Sequence, residues 1–94
     1  LANVYFEGRV ISRNIFLKDG SKKTLGVMLP GEYEFNTESR ELMEIISGKL
    51  NLKIKGNNDW RLVSKGGDFN IPKNSSFKVE VLELANYICS YFDD

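Results

Sequence analysis

Ninety-four residues carrying 13 basic and 13 acidic side chains make one domain with no net charge. The balance excludes the basic excess that a nucleic-acid polymer requires, and it offers no steering toward an acidic membrane surface. Histidine is absent and Cys89 is the only cysteine, which excludes histidine acid–base chemistry, Ser-His-Asp triads, histidine or thiolate metal sites and an internal disulfide.

No apolar run is long enough to span a membrane, and none reads as a signal peptide. With the lone cysteine this predicts a cytoplasmic protein, although a secreted protein without disulfides has the same composition. Because the chain starts at Leu1 rather than Met, a few residues are expected before it. A chain this short buries a modest core, so closure into a barrel or pairing with a second copy is expected to help it.

In chain order, residues 4 to 12 read as a strand with Val4, Phe6, Gly8, Val10 and Ser12 in one phase, continued irregularly over 13 to 17. A polar turn with Asp19-Gly20 follows, then a strand from Thr24 to Leu29 that Pro30-Gly31 breaks. Tyr33, Phe35 and Thr37 share the next phase. A polar corner at Thr37 to Arg40 leads to Glu41, Met43, Ile45 and Ser47, and residues Glu38 to Met43 have room for one helical turn. Ser47-Gly48 reads as a tight turn before Leu50, Leu52 and Ile54. Short strands are predicted at 60 to 63 and 69 to 71, then around Phe77, Val79 and Val81, and finally around Tyr87, Cys89 and Tyr91. Turn signals recur about every 8–12 residues, so the expectation is an all-β sandwich or barrel of eight to nine short antiparallel strands.

Residues 31 to 48 read as a pocket wall, because they bring aromatics, a hydroxyl and a carboxylate onto neighbouring strands. The aromatics Tyr33, Phe35, Phe77, Tyr87 and Tyr91 fill a core or present rings on which a flat base stacks; core filling is the stronger reading for Phe35 or Phe77 alone. Met43 shares the phase of Glu41 and is assigned to the same substrate wall. Glu41 points inward with Met43 and Ile45, and an inward carboxylate needs a partner. A cation of the chain pairs it, or it sits in the solvated corner, or it binds ligand hydroxyls and stabilises positive charge. These alternatives stay open at this stage. Thr37, Ser47 and Ser75 cap local backbone or hold phosphate, with capping the stronger reading for Ser75. The cations Arg9, Lys22 and Lys23 are solvated surface or anion ligands. Cys89 reads as a small core residue.

Two cupin signatures align loosely with these residues. One has a glutamate, six residues and a glycine, met by Glu41 and Gly48; the other has a glycine, five residues and a proline, met by Gly66 and Pro72. The metal histidines of the signatures would fall near Phe35 and Thr37, or at Glu34 and Asn36, and at Phe77, so the chain resembles a cupin without its metal ligands. Within that class, Gly26 to Thr37, Glu41 to Gly48, Trp60, Gly67 to Pro72, Ser75, Phe77 and Tyr87 to Tyr91 resemble the small bacterial pyrimidine/purine nucleoside phosphorylases. The resemblance runs from Tyr5 to Tyr91.

The resemblance implies a single-domain cupin-type jelly-roll β-barrel over residues 1–94 that forms homodimers. It implies metal-independent cleavage of many purine and pyrimidine nucleosides, with inorganic phosphate as co-substrate, no cofactor, and free base and pentose 1-phosphate as products. Phase and chemistry then assign Tyr33, Phe77 and Tyr91 to the base, Glu41 to the ribose and cationic centre, and Thr37, Ser47 and either Arg9 or Lys22 to phosphate. Phe35 and Met43 complete the substrate wall. The rival reading is a non-catalytic cupin module that binds a nucleoside or sugar. A third is a structural dimer whose pocket is ordinary core.

Overall fold

A computed structural model describes residues 2–93; Leu1, and with it the question of what precedes the chain, lies outside the described residues. Strand β1 (Ala2–Tyr5) enters a tight 3-10 turn at Phe6–Gly8. Seven strands follow: β2 (Val10–Phe16), β3 (Lys22–Met28), β4 (Gly31–Asn36), β5 (Arg40–Ile54), β6 (Arg61–Ser64), β7 (Asp68–Ile71) and β8 (Ser76–Phe92). Among the described residues no helix is long and apolar enough to cross a membrane.

The spine is the antiparallel pair β5–β8, in register from Arg40↔Phe92 to Ile54↔Phe77. The C-terminal half of β8 carries β3, which carries β2 and then β1. Its N-terminal half carries β4. Likewise β7 lies on the first half of β5 and β6 on the second. The path β1-β2-β3-β8-β5-β6 is therefore open at both ends, with β4 and β7 branching from it.

This corrects the expected jelly-roll β-barrel of short strands: the fold is all-β with eight strands, of the cupin type, but its sheet is not closed into a barrel. The reason lies in β5 and β8, which run for 15 and 17 residues. Each is long enough to serve two half-sheets, so the sheet bends back over its own core.

The bend sits where a tight turn was expected. Ser47-Gly48 lies within β5, and the β5–β8 register slips at three points between Ile45 and Leu50. The inward set of β5 correspondingly passes from odd positions (Met43, Ile45) to even ones (Leu50, Leu52), all buried. Such a change of phase is the sequence trace of a bulge. Gly48 has φ +97°, and a Cβ there would run into the backbone of Leu84 and Ala85, so glycine is the residue the bend requires. The strand expected over 4 to 12 is split as well: Phe6, Glu7 and Gly8 all have positive φ, and β1 folds back antiparallel on β2 through this turn.

The inward residues of both half-sheets form one core. Val10, Met28, Ile45, Leu50, Ile71 and Val79 are its largest fully buried members.

Candidate functional site

The inner face of β1, β2, β3, β8 and the first half of β5 forms the floor and walls of a pocket of about 490 Å³, with β4 contributing one rim. Register builds it in rows. Asn14, Thr24, Cys89 and Met43 stand side by side across β2, β3, β8 and β5. The next row is Ser12, Gly26, Tyr87 and Ile45. On the other side Tyr91 faces Glu41, with Lys22 two residues before Thr24 on the same face of β3. Gly26 makes room for a ring, since a Cβ there would collide with Tyr87. The bare backbone lets the Tyr87 ring lie across β3.

The pocket gathers six of the residues given roles from the sequence: Lys22, Phe35, Glu41, Met43, Phe77 and Tyr91. Phe35 and Phe77 are stacked, with ring centroids 5.3 Å apart, and Phe6 meets Phe35 edge-on at 5.5 Å. Lys22 Nζ sits 4.3 Å from the centroid of the Tyr91 ring, a cation–π contact that holds the ammonium against the pocket wall. The Tyr91 hydroxyl is in turn hydrogen-bonded to Thr24 Oγ1 at 3.1 Å.

Glu41 is half-buried. Its Oε1 accepts a hydrogen bond from Cys89 Sγ at 3.4 Å. Burial raises its carboxyl above the ordinary value, opposed by the Cys89 hydrogen bond and by the positive charge of Lys22. Burial, with the Glu41 charge next in weight, pushes the Cys89 thiol up to about 12. Burial foremost also pushes Tyr87 up to about 12 and raises Tyr91. At neutral pH the thiol and both phenols are therefore neutral donors around the carboxylate. The activated-nucleophile state of a cysteine, which needs a lowered pKa, is absent from Cys89.

The other four residues given roles stand outside the lining. Tyr33 is buried, with Phe6 and Phe35 packed against its ring, and donates to the Leu29 carbonyl at 2.6 Å. Thr37 Oγ1 donates to the Pro72 carbonyl at 2.7 Å and accepts from the Ser75 N–H at 2.9 Å, closing the corner between β4 and β5. Ser47 Oγ accepts from Asn86 Nδ2 at 2.8 Å, beside the bulge. Arg9 is exposed; its Nε donates to the Phe6 carbonyl at 3.4 Å and its guanidinium lies 5.8 Å from the Tyr33 ring centroid.

In their place the pocket shows residues that sequence reasoning passes over, chiefly Asn3, Ser12, Asn14 and Thr24. A signal for three of them exists. Ser12 and Asn14 share the phase of buried Val10, and Thr24 shares that of buried Met28. Polar side chains in the inward phase of a strand mark either a hydrogen-bonded core or a pocket.

Among the described residues no group of three or more His, Cys, Asp or Glu side chains is placed to hold a metal ion. Fold and pocket together define a cupin-type domain whose inner face presents carboxylate, hydroxyl, amide and ring rather than metal ligands. Comparison with known proteins carries this further. A profile described as pyrimidine/purine nucleoside phosphorylase matches residues 1–91. The pyrimidine/purine nucleoside phosphorylase of Chlorobium chlorochromatii is 52% identical over 90 residues, covering 96% of this chain and 86% of that protein. That of Citrifermentans bemidjiense is 54% identical over 90 residues, covering 96% and 87%. Among solved structures, a protein of unknown function from Acinetobacter superposes with a TM-score of 0.94 at 42% identity, covering 98% of this chain and 90% of that one. The chain belongs to the pyrimidine/purine nucleoside phosphorylase family.

Proposed function

We propose that this chain cleaves purine and pyrimidine nucleosides with inorganic phosphate, releasing free base and pentose 1-phosphate. One observation carries the reading: the family match spans almost the whole chain, and the fold it covers bends around a pocket with a half-buried carboxylate in its wall. In the reaction a phosphate oxygen forms a bond to the anomeric carbon as the N-glycosidic bond breaks. The bonding electron pair leaves on the base nitrogen, and the proton the base gains is balanced by the one phosphate gives up.

Such a displacement passes through an oxocarbenium-like state, as glycoside hydrolysis does. The chain must hold three parts in line and favour positive charge on the sugar. Alignment alone contributes about 7–11 kcal/mol in favourable cases. Phe35 and Phe77 offer the ring surface for the base, with Met43 beside them. Glu41 faces the ribose and its developing charge. Lys22, held on the Tyr91 ring, attracts the phosphate.

Purified protein treated with EDTA and incubated with uridine and with inosine, with and without phosphate, is expected to release both free bases only when phosphate is present. No release, together with a thermal shift on adding nucleoside, would instead identify a non-catalytic binding module.

We also read the enzyme as a cytoplasmic homodimer. Among the described residues β1 pairs only with β2, which leaves its outer edge open there. On the outer face of β2, β3 and β5, Ile11, Leu25 and Ile46 stand exposed around an apolar depression of about 450 Å³. An apolar face next to an open strand edge suits a second copy of the chain. Sedimentation equilibrium at micromolar concentration is expected to give twice the mass of the chain; a monomer would refute this reading.

A further inference from the structure

We propose that Asn14, oriented by Asn3, binds the attacking phosphate together with Lys22. The assignment rests on the phosphorolysis reading and adds to it the position of the anion. Phosphate carries negative charge and is repelled by the Glu41 carboxylate. Glu41 stands on β5, and Asn14 on β2, three strands away around the curved wall of the same pocket. The neutral donors Asn3, Ser12 and Asn14 line that distant wall, and Lys22 lines the same pocket from β3, the strand next to β2.

The geometry there is specific. Asn3 Nδ2 donates to Asn14 Oδ1 at 3.2 Å and to Ser12 Oγ at 3.5 Å. With its oxygen turned to Asn3, the Asn14 side chain offers only its NH₂ group, two donors and no competing acceptor, to a ligand. Asn14 is directly opposite Thr24 in the β2–β3 register. Lys22 is therefore its diagonal neighbour on the same face, roughly 7–8 Å away at the backbone and within reach of a long side chain. Its ammonium rests over the ring of Tyr91, the β8 residue paired with Glu41, so an anion held by both groups would span the pocket between Lys22 and Asn14. A planar amide beside an ammonium gives a phosphate both fixed direction and charge. Arg9, Lys23, Thr37, Ser47 and Ser75, the other sequence candidates for the anion, stand outside the pocket lining. Asn3 contributes as a positioning residue through Asn14.

The test is steady-state kinetics with phosphate and uridine varied in turn. Asn14→Asp keeps the shape and replaces the donor with a negative acceptor. It is expected to raise KM for phosphate about 10–100-fold, as loss of a charge-assisted hydrogen bond implies. KM for uridine should stay within about two-fold of wild type, since the base and ribose contacts lie elsewhere. Asn14→Leu should show the same split, and Asn3→Ala a smaller rise in KM for phosphate. Asn14 is exposed, so these variants are expected to fold, which circular dichroism checks. An active wild type whose Asn14→Asp variant keeps its KM for phosphate, or loses uridine binding equally, overturns the assignment alone. Absence of any phosphate-dependent release by wild type overturns the underlying reading and this assignment with it.

Discussion

Glu41→Gln is expected to lower kcat/KM for phosphorolysis by about 10²–10³-fold, the loss typical when one preorganised charge-stabilising group is removed from an active site. Glutamine keeps the shape and still accepts the Cys89 hydrogen bond, so it removes charge and little else. The variant is also expected to melt higher than wild type at pH 7. Burial raises the Glu41 carboxyl above its ordinary value of 4.5, outweighing the Cys89 hydrogen bond and the Lys22 charge. Between 4.5 and that raised value the folded state holds more protons than the unfolded chain, so stability falls as pH rises through this window. Above it the folded state carries the full cost of the ionised, half-buried group. Glutamine carries none, so the gain in melting temperature should vanish at pH values below the ordinary carboxylate range.

The same logic shapes the rate profile. The groups facing Glu41 across the pocket are Lys22 on β3 and Tyr87, Cys89 and Tyr91 on β8. Of these, the thiol and phenols titrate far above neutrality, so within this group of side chains an acid limb of activity belongs to Glu41. It should lie above the normal carboxylate range and be absent from Glu41→Gln. A near-wild-type rate in a folded Glu41→Gln protein would remove Glu41 from the mechanism. A lowered rate without the stability gain would mean that its charge is solvated in the pocket.

What is legible in the sequence, and what is not, follows from the difference between phase and pairing. Phase is local. Phe35, Glu41, Met43, Phe77 and Tyr91 lie on β4, β5 and β8, where apolar residues alternate over several positions, and their inward direction can be read without knowing their neighbours. The phase that Asn14 shares with Val10 is faint because residues 13 to 17 carry no clean alternation. Thr24 and Ser12 carry the inward phase, but phase alone does not separate a hydrogen-bonded core from a pocket until the neighbouring strand is known. Their company comes from the registers β1–β2, β2–β3 and β3–β8, the last joining residues more than fifty positions apart.

Strand length fails for a related reason. Leu82, Glu83 and Leu84 are all exposed, so the alternation of β8 lapses at the bend and the strand reads as two pieces. Ser47-Gly48 reads as a turn because a turn and a bulge both need a residue that accepts positive φ. Once β5 and β8 are cut into short strands, a closed barrel is the natural assembly. Rejoined, they give the open, bent sheet.

Gly48→Ala should accordingly be the most damaging single-methyl change in the chain, costing about 3 kcal/mol or more from the sum of left-handed backbone strain and a collision. For a domain of this size that lowers the melting temperature by roughly 12–24 °C, out of a total stability of about 5–15 kcal/mol. The collision is with backbone, the Leu84 carbonyl and Ala85 Cα, which cannot swing aside as a side-chain tip can. Relief requires the two spine strands to separate at the bend. That shifts Glu41 and Met43 on one strand against Cys89 and Tyr91 on the other, so residual folded protein should also lose activity. Gly56→Ala separates the two causes. Gly56 has φ +94° but open space where its Cβ would be, so it carries the conformational cost alone, about 1 kcal/mol. Urea denaturation of both variants reads the difference directly. If Gly48→Ala costs no more than Gly56→Ala, the strands part without penalty and the close approach at the bend does not hold the two half-sheets together.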